Sequence, residues 1–228
     1  MVRPFCGQSA KRKEKEDSSG MAQSQKFCRI QGFVVAQHAE MEAIFNIATP
    51  NKTAVCILAD KEEIGSVGIS GMQSEVFEYF MGMMCDAQGV TMYHCFQNSF
   101  CLSADVSNAH DPNFPEVEDR RNNSQLNYGV AICKYTGSRG KGGASDASAE
   151  AMAHVRKTLD DAGVIWQIAT LGKVDQGGGD TVAAYMANRN IVTVDAGVPV
   201  LAMHAPIEVV SKLDCYATYL ACKAIYLA

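Results

Sequence analysis

The chain reads as a three-layer α/β/α domain built on a mainly parallel or mixed sheet, and three observations predict this. Short apolar runs rich in Val, Ile and Ala alternate along most of the chain with segments whose apolar residues fall at helical spacing. The 228 residues are 47% hydrophobic, enough for one large core. Acidic or imidazole side chains stand at the ends of three apolar runs, where open α/β sheets collect their ligands.

Met1 to about Gln25 lacks apolar periodicity. It carries Lys11-Arg12-Lys13-Glu14-Lys15-Glu16-Asp17, then Ser18-Ser19-Gly20 and a glutamine-rich patch, and residues 1–26 read as a disordered or atypical leader. The ordered domain is expected over 27–228. Phe27–Ala36 is apolar without a clear period. Met41, Ile44, Phe45 and Ala48 predict a helix over 39–48, ended by Pro50. Thr53–Ala59 is short and continuously apolar, as expected of a strand buried on both faces. A helix is predicted over 74–87, with Val76, Phe77, Phe80, Met81 and Met84 on one stripe and its methionines filling the core.

Residues 99–106 form a strand candidate that ends near Asp105, and the polar stretch 107–125 is expected to be a long surface loop. A strand over 130–135 leads to a glycine-rich loop, 137–143, with Arg139 and Lys141. A helix over 147–162 would be capped by Ser145 or Asp146 and closed by Gly163. Then come a strand over 165–169, a second glycine-rich loop over 172–181, a helix to about Asn188 and a short strand over 191–194. The separate run 198–204 lands on His204, and 207–226 reads as a closing helix.

Composition excludes several classes. A net charge of −5 with no sustained basic stripe argues against a nucleic-acid partner. The nine cysteines form no C-x-x-C pair, and several lie inside apolar runs where a free thiol acts as a small hydrophobe. An odd count without a signal-peptide pattern points to a reducing, cytoplasmic setting. No apolar run approaches a membrane span, so no membrane partner is expected.

The chemistry concentrates at Glu62-Glu63, Asp105 and His204. Two adjacent carboxylates repel, so both stay ionised only beside cations or donors. A hydrolytic metal centre supplies that condition: one carboxylate binds metal and the other takes a proton from water. The simpler reading of the two glutamates alone is a solvated acidic turn. Three strand ends that deliver carboxylate, carboxylate and imidazole fit the oxygen and nitrogen ligand set of catalytic zinc. His38, His94, His110 and His154 lack this placement. Gly68-Ile69-Ser70-Gly71 is no nucleophile elbow of the G-x-S-x-G kind.

Asp60-Lys61-Glu62-Glu63-Ile64-Gly65-Ser66, then Ser103-Ala104-Asp105 followed by Asp111-Pro112-Asn113, then Met203-His204 resemble the aspartyl aminopeptidase family of cocatalytic two-zinc exopeptidases. Residues 173–181 and 193–199 match its C-terminal signatures, and the resemblance covers about 43–228. It implies a zinc-exopeptidase-like fold, incomplete at the N-terminus. It also implies Glu62 as general base, Glu63 and His204 on one zinc, and Asp105 on the other. The glycine-rich loops would line the pocket. The implied substrate is a peptide with a free N-terminus, and the implied complete form is a homo-oligomer.

The sequence departs from that pattern in two places. The family pattern places a histidine far upstream and a metal-bridging aspartate shortly before the first helix, but Gln23–Ala36 contains no acidic residue. Asn108 stands where a histidine is common. The alternative reading is therefore a truncated, catalytically inactive paralogue that acts as a structural or assembly subunit.

Overall fold

A computed structural model describes residues 27–29, 32–137, 139, 142–143, 145–179 and 181–228, with 27–29 and 32–34 described by their backbone alone. The expected leader, 1–26, and Lys141 lie outside the described residues.

The element order is β1 (Phe27–Arg29), α1 (Gly32–Phe45), α2 (Val76–Ala87), α3 (Met92–Gln97), β2 (Phe100–Asn108), β3 (Val130–Cys133), α4 (Ala149–Asp161), β4 (Trp166–Ile168), α5 (Ala183–Ala187), β5 (Val192–Leu201), β6 (Val209–Ser211) and α6 (Lys212–Leu227). The sheet is mixed, as expected. β5 is its spine: β2 runs parallel along one edge, from Phe100 beside Val192 to Asn108 beside Val200. On the opposite edge β3 pairs antiparallel at residues 195–197 and β6 at residues 200–201. β4 lies parallel to β3, and β1 antiparallel to β6.

Helices cover both faces. Leu159, Val155 and Met152 of α4 and Ala217 and Ala221 of α6 pack on Val130, Ile132, Val194 and Ala196, while Ala36 of α1 joins Val198, Val200 and Val210. Met81 of α2, Phe96 of α3 and Met186 of α5 form a separate cluster across the sheet. The two clusters bury strand residues of alternate parity, as a pleated strand between two helical layers requires.

Several boundaries differ from expectation, each for a local reason. β5 is one strand rather than two runs, although Gly197 and Pro199 sit inside it. A Cβ on Gly197 would stand 2.8 Å from the Ser107 nitrogen, so glycine is what lets β2 approach this closely. The α4 cap is Ser148, whose side chain accepts from the Ala151 N–H, rather than Ser145 or Asp146. The predicted closing helix starts only at Lys212, because β6 comes first and Ser211 caps the helix. α2 is apolar on two sides: Met81 points inward, but Val76, Tyr79, Phe80 and Met83 form an exposed face. The stretch 107–125 is not a plain surface loop, since Glu118, Asn123 and Ser124 within it are buried. Residues 53–59, expected as a strand, belong to no helix or strand and pair with no strand among the described residues.

Candidate metal centre

The Glu62-Glu63 carboxylates ride on a single 3-10 turn, Glu62–Ile64, bounded by left-handed residues Lys61 (φ 64°) and Gly65 (φ 86°). The Lys61 carbonyl accepts from the Ile64 and Ser66 N–H groups at 3.3 and 2.7 Å. Behind the turn, the Gly65 carbonyl accepts from Gln73 Nε2 at 2.6 Å and from the Tyr185 hydroxyl at 3.2 Å. Gly71 is pressed onto Ser66, leaving no room for a side chain: an added Cβ would lie 2.2 Å from the Ser66 carbonyl oxygen. Asp60 closes the other end, where Lys61 and the Ser70 hydroxyl hold its carboxyl down to about 2. The turn is fixed by its backbone and its base, and this leaves Glu63 exposed and Glu62 half-buried at its rim.

His204 comes from the far end of the chain, just past β5. It occupies the left-handed region at φ 66°, in a turn closed by the Ala205 N–H donating to the Ala202 carbonyl at 3.0 Å. The Glu208 carboxylate accepts from the His204 backbone N–H at 2.6 Å and thereby orients the residue. Its ring Nδ1 lies 3.6 Å from Glu63 Oε1.

Asp105 stands on β2. Burial raises its carboxyl to about 6; the Val106 N–H at 2.8 Å and nearby His204 oppose the shift, while the charges of Asp195 and Glu63 add to it. The fold thus brings Glu63, His204 and Asp105 into one electrostatic neighbourhood with Glu62 alongside. Among the described residues, however, no three His, Cys, Asp or Glu side chains converge closely enough to hold a metal ion.

Two further carboxyls belong to this neighbourhood, and the sequence reading assigned neither a role. Asp195, buried on β5, accepts from the Thr181 hydroxyl at 2.9 Å and the Thr136 hydroxyl at 3.3 Å; burial lifts it to about 6. Glu40 of α1 is pushed up to about 8 by burial and then by the Asp105 charge. No sequence motif marks Glu40, but its place on the inner side of a helix that packs against β2 does. The two glycine-rich loops are joined to each other, Gly137 N–H to the Gly179 carbonyl and Asp175 N–H to the Arg139 carbonyl, both at 2.8 Å. Beside them, Thr136 and Thr181 donate to Asp195 and so border the centre. His110, set aside on sequence, has its Nδ1 2.5 Å from a carboxylate oxygen of buried Glu118, a hydrogen bond that ties down the 107–125 stretch.

The donor chemistry suits zinc. Two bonds of about 2.1 Å at a tetrahedral angle place donor atoms about 3.4 Å apart, close to the Glu63–His204 separation of 3.6 Å. The pair therefore fits one shared ion. A complete catalytic set needs a third protein ligand, and the described residues do not bring one within reach.

The peptidase M18 family model, described as aminopeptidase I zinc metalloprotease, matches residues 22–226. A probable M18 family aminopeptidase 1 of Borreliella burgdorferi (strain ZS7) is 47% identical over 193 residues, covering 82% of this chain and 42% of that protein. The crystal structure of an M18 family aminopeptidase from Thermotoga maritima superposes with a TM-score of 0.81 at 40% identity, over 85% of this chain and 44% of that one. A yeast mApe1 dodecamer shares the fold at 20% identity and a TM-score of 0.66, over 85% of this chain and 43% of its own. The chain thus spans less than half the length of these proteins. With the match running over nearly all of the described residues, it belongs to the peptidase M18 family of aminopeptidase I zinc metalloproteases.

Proposed function

We propose that this chain carries the water-activating side of a zinc aminopeptidase site that removes N-terminal residues from peptides. The observation behind the reading is the Glu63–His204 pair, which joins two zinc-type donors from distant parts of the chain at a spacing one ion would bridge. In this reading Asp105 serves a second zinc. When bound, zinc supplies Lewis acidity toward a carbonyl and lowers the pKa of water. Glu62 sits next to Glu63 on the same turn, so its carboxylate can take a proton from water and deliver it to the leaving amine. The carboxylates of Glu62, Glu63 and Asp105 present negative charge that suits the α-ammonium group of a peptide N-terminus.

A second reading, a non-catalytic assembly subunit, is favoured by one observation: the described residues offer no three-ligand group. The exposed apolar face of α2 supports homo-oligomeric assembly in either case.

Zinc titration of the Glu62→Gln and Glu63→Gln variants tests the role assignment. Glu63→Gln should weaken zinc binding at least tenfold, whereas Glu62→Gln should leave it unchanged. In a complete, active form Glu62→Gln should lower turnover by about two to four orders of magnitude. Equal zinc loss in both variants would refute the assignment.

A further inference from the structure

The Glu62–Ile64 turn is held in a conformation that its flanking residues disfavour. Lys61 and Ser66 both occupy the left-handed region, at φ 64° and 57°, where a Cβ crowds the backbone. Hydrogen bonds to the Lys61 and Glu62 carbonyls close the turn, but they do not fix where it points. That direction is set at Gly65. Its carbonyl accepts from Gln73 Nε2 at 2.6 Å and from the Tyr185 hydroxyl at 3.2 Å, and Gln73 Nε2 also donates to the Tyr185 oxygen at 3.3 Å. The Gln73 backbone N–H donates to the Ser66 carbonyl at 3.1 Å. Both side-chain donors are in turn fixed by one guanidinium. Arg189 donates to the carbonyls of Met72 and Ser74, on either side of Gln73, at 3.0 and 3.3 Å, and to the Tyr185 carbonyl at 2.8 Å. An ion pair with Glu78 of α2 and a place over the Phe77 ring, 5.9 Å from its centroid, hold Arg189 itself. A planar guanidinium can serve several acceptors at once with little freedom left to lose.

We propose that Gln73 and Tyr185 are positioning residues of the metal centre, which act through the Gly65 carbonyl to aim the Glu63 carboxylate at His204, with Arg189 as their common anchor. Neither side chain ligates metal in this arrangement. Groups outside the ligand set orient the ligands and so set metal affinity. Here the support acts through the backbone. The Gly65 N–H donates to the Glu62 carbonyl at 2.8 Å, so a rotation of the Gly65 peptide is carried into the residues that present both carboxylates. The Glu63–His204 separation of 3.6 Å leaves little slack: a displacement of about 1 Å takes the pair outside the span of one zinc ion. The inference rests on the zinc reading for its consequence, so its test reads the turn both without and with metal.

Tyr185→Phe keeps the ring in its apolar cluster and removes only the hydroxyl, while Gln73→Met keeps the length and removes the amide. In the zinc-free full chain, the double variant should speed hydrogen exchange at the Gly65 and Ser66 amides about tenfold and leave the β5 amides unchanged. Its melting temperature should stay within about 2 °C of the parent. Zinc titration should show an affinity about tenfold weaker, with each single variant in between. Tyr185→Phe alone carries the test should the double variant not fold. Three results would overturn the proposal. In one, the turn amides exchange as in the parent. In another, they exchange faster while a His204-dependent zinc affinity does not change. In the third, the loss of affinity comes with a matching fall in melting temperature, which would make the role of both residues merely structural. Zinc affinity equal in the parent and in His204→Ala would refute the zinc reading instead, and the amide exchange would still decide whether Gln73 and Tyr185 hold the turn.

Discussion

Replacing Glu40 by Gln should stabilise the chain at alkaline pH and leave it almost unchanged at acid pH. Glu40 lies against a cavity on α1, and its carboxyl rises from 4.5 to about 8, through burial first and the charge of Asp105 second. Because the folded value lies above the unfolded one, the folded state binds the proton more tightly. Stability therefore falls as pH rises from about 4.5 to 8, and the full cost is present above that window. At about 1.4 kcal/mol per pH unit the cost could approach 5 kcal/mol. Solvent screening at a half-buried carboxyl reduces this to roughly 2 kcal/mol. In a domain of this size each kcal/mol moves the melting temperature by about 2–4 °C. Zinc-free melts should therefore show Glu40→Gln about 4–8 °C above the parent at pH 8.5 and within about 1 °C at pH 4.5. An equal shift at both pH values would show that the side chain acts through packing, not ionisation.

Two substitutions probe the supports of the metal centre. Gly71→Ala drives a methyl into the Ser66 carbonyl, so it should cost about 1–3 kcal/mol in urea denaturation; it should also weaken zinc binding, because the Glu62–Ile64 turn must move. Arg189→Met should cost about 3–5 kcal/mol, as it strands Glu78 and removes donors to the carbonyls of Met72, Ser74 and Tyr185. Adding Glu78→Met should recover more than half of that loss, and no recovery would place the cost outside the ion pair.

The sequence reading worked where one local signal decides the outcome. The helices α2 and α4 form where their apolar spacing predicts them, and Gly163 does close α4 with φ 65°. It failed where a distant partner decides. Gly197 and Pro199 look like strand breakers, yet β5 runs through them because β2 packs against Gly197. Thr53–Ala59 has the composition of a central strand but pairs with no strand among the described residues. Glu208 holds His204 through a backbone N–H, a contact that leaves no trace in residue type or spacing. Glu40 is one polar residue in a helix, and only its position over Asp105 makes it part of the centre.

The most direct test of the account is a crystal of the full chain soaked in zinc, with anomalous data collected at the zinc edge. The account predicts a peak about 2.0–2.2 Å from both the His204 ring nitrogen and the Glu63 carboxylate. Its occupancy should be partial, because the described residues bring only two protein ligands of the usual three together. It should vanish in His204→Ala and Glu63→Gln and persist in Glu62→Gln. A strong peak elsewhere, such as at His110 and Glu118, with none between Glu63 and His204, would contradict the assignment of this turn and this histidine to the metal.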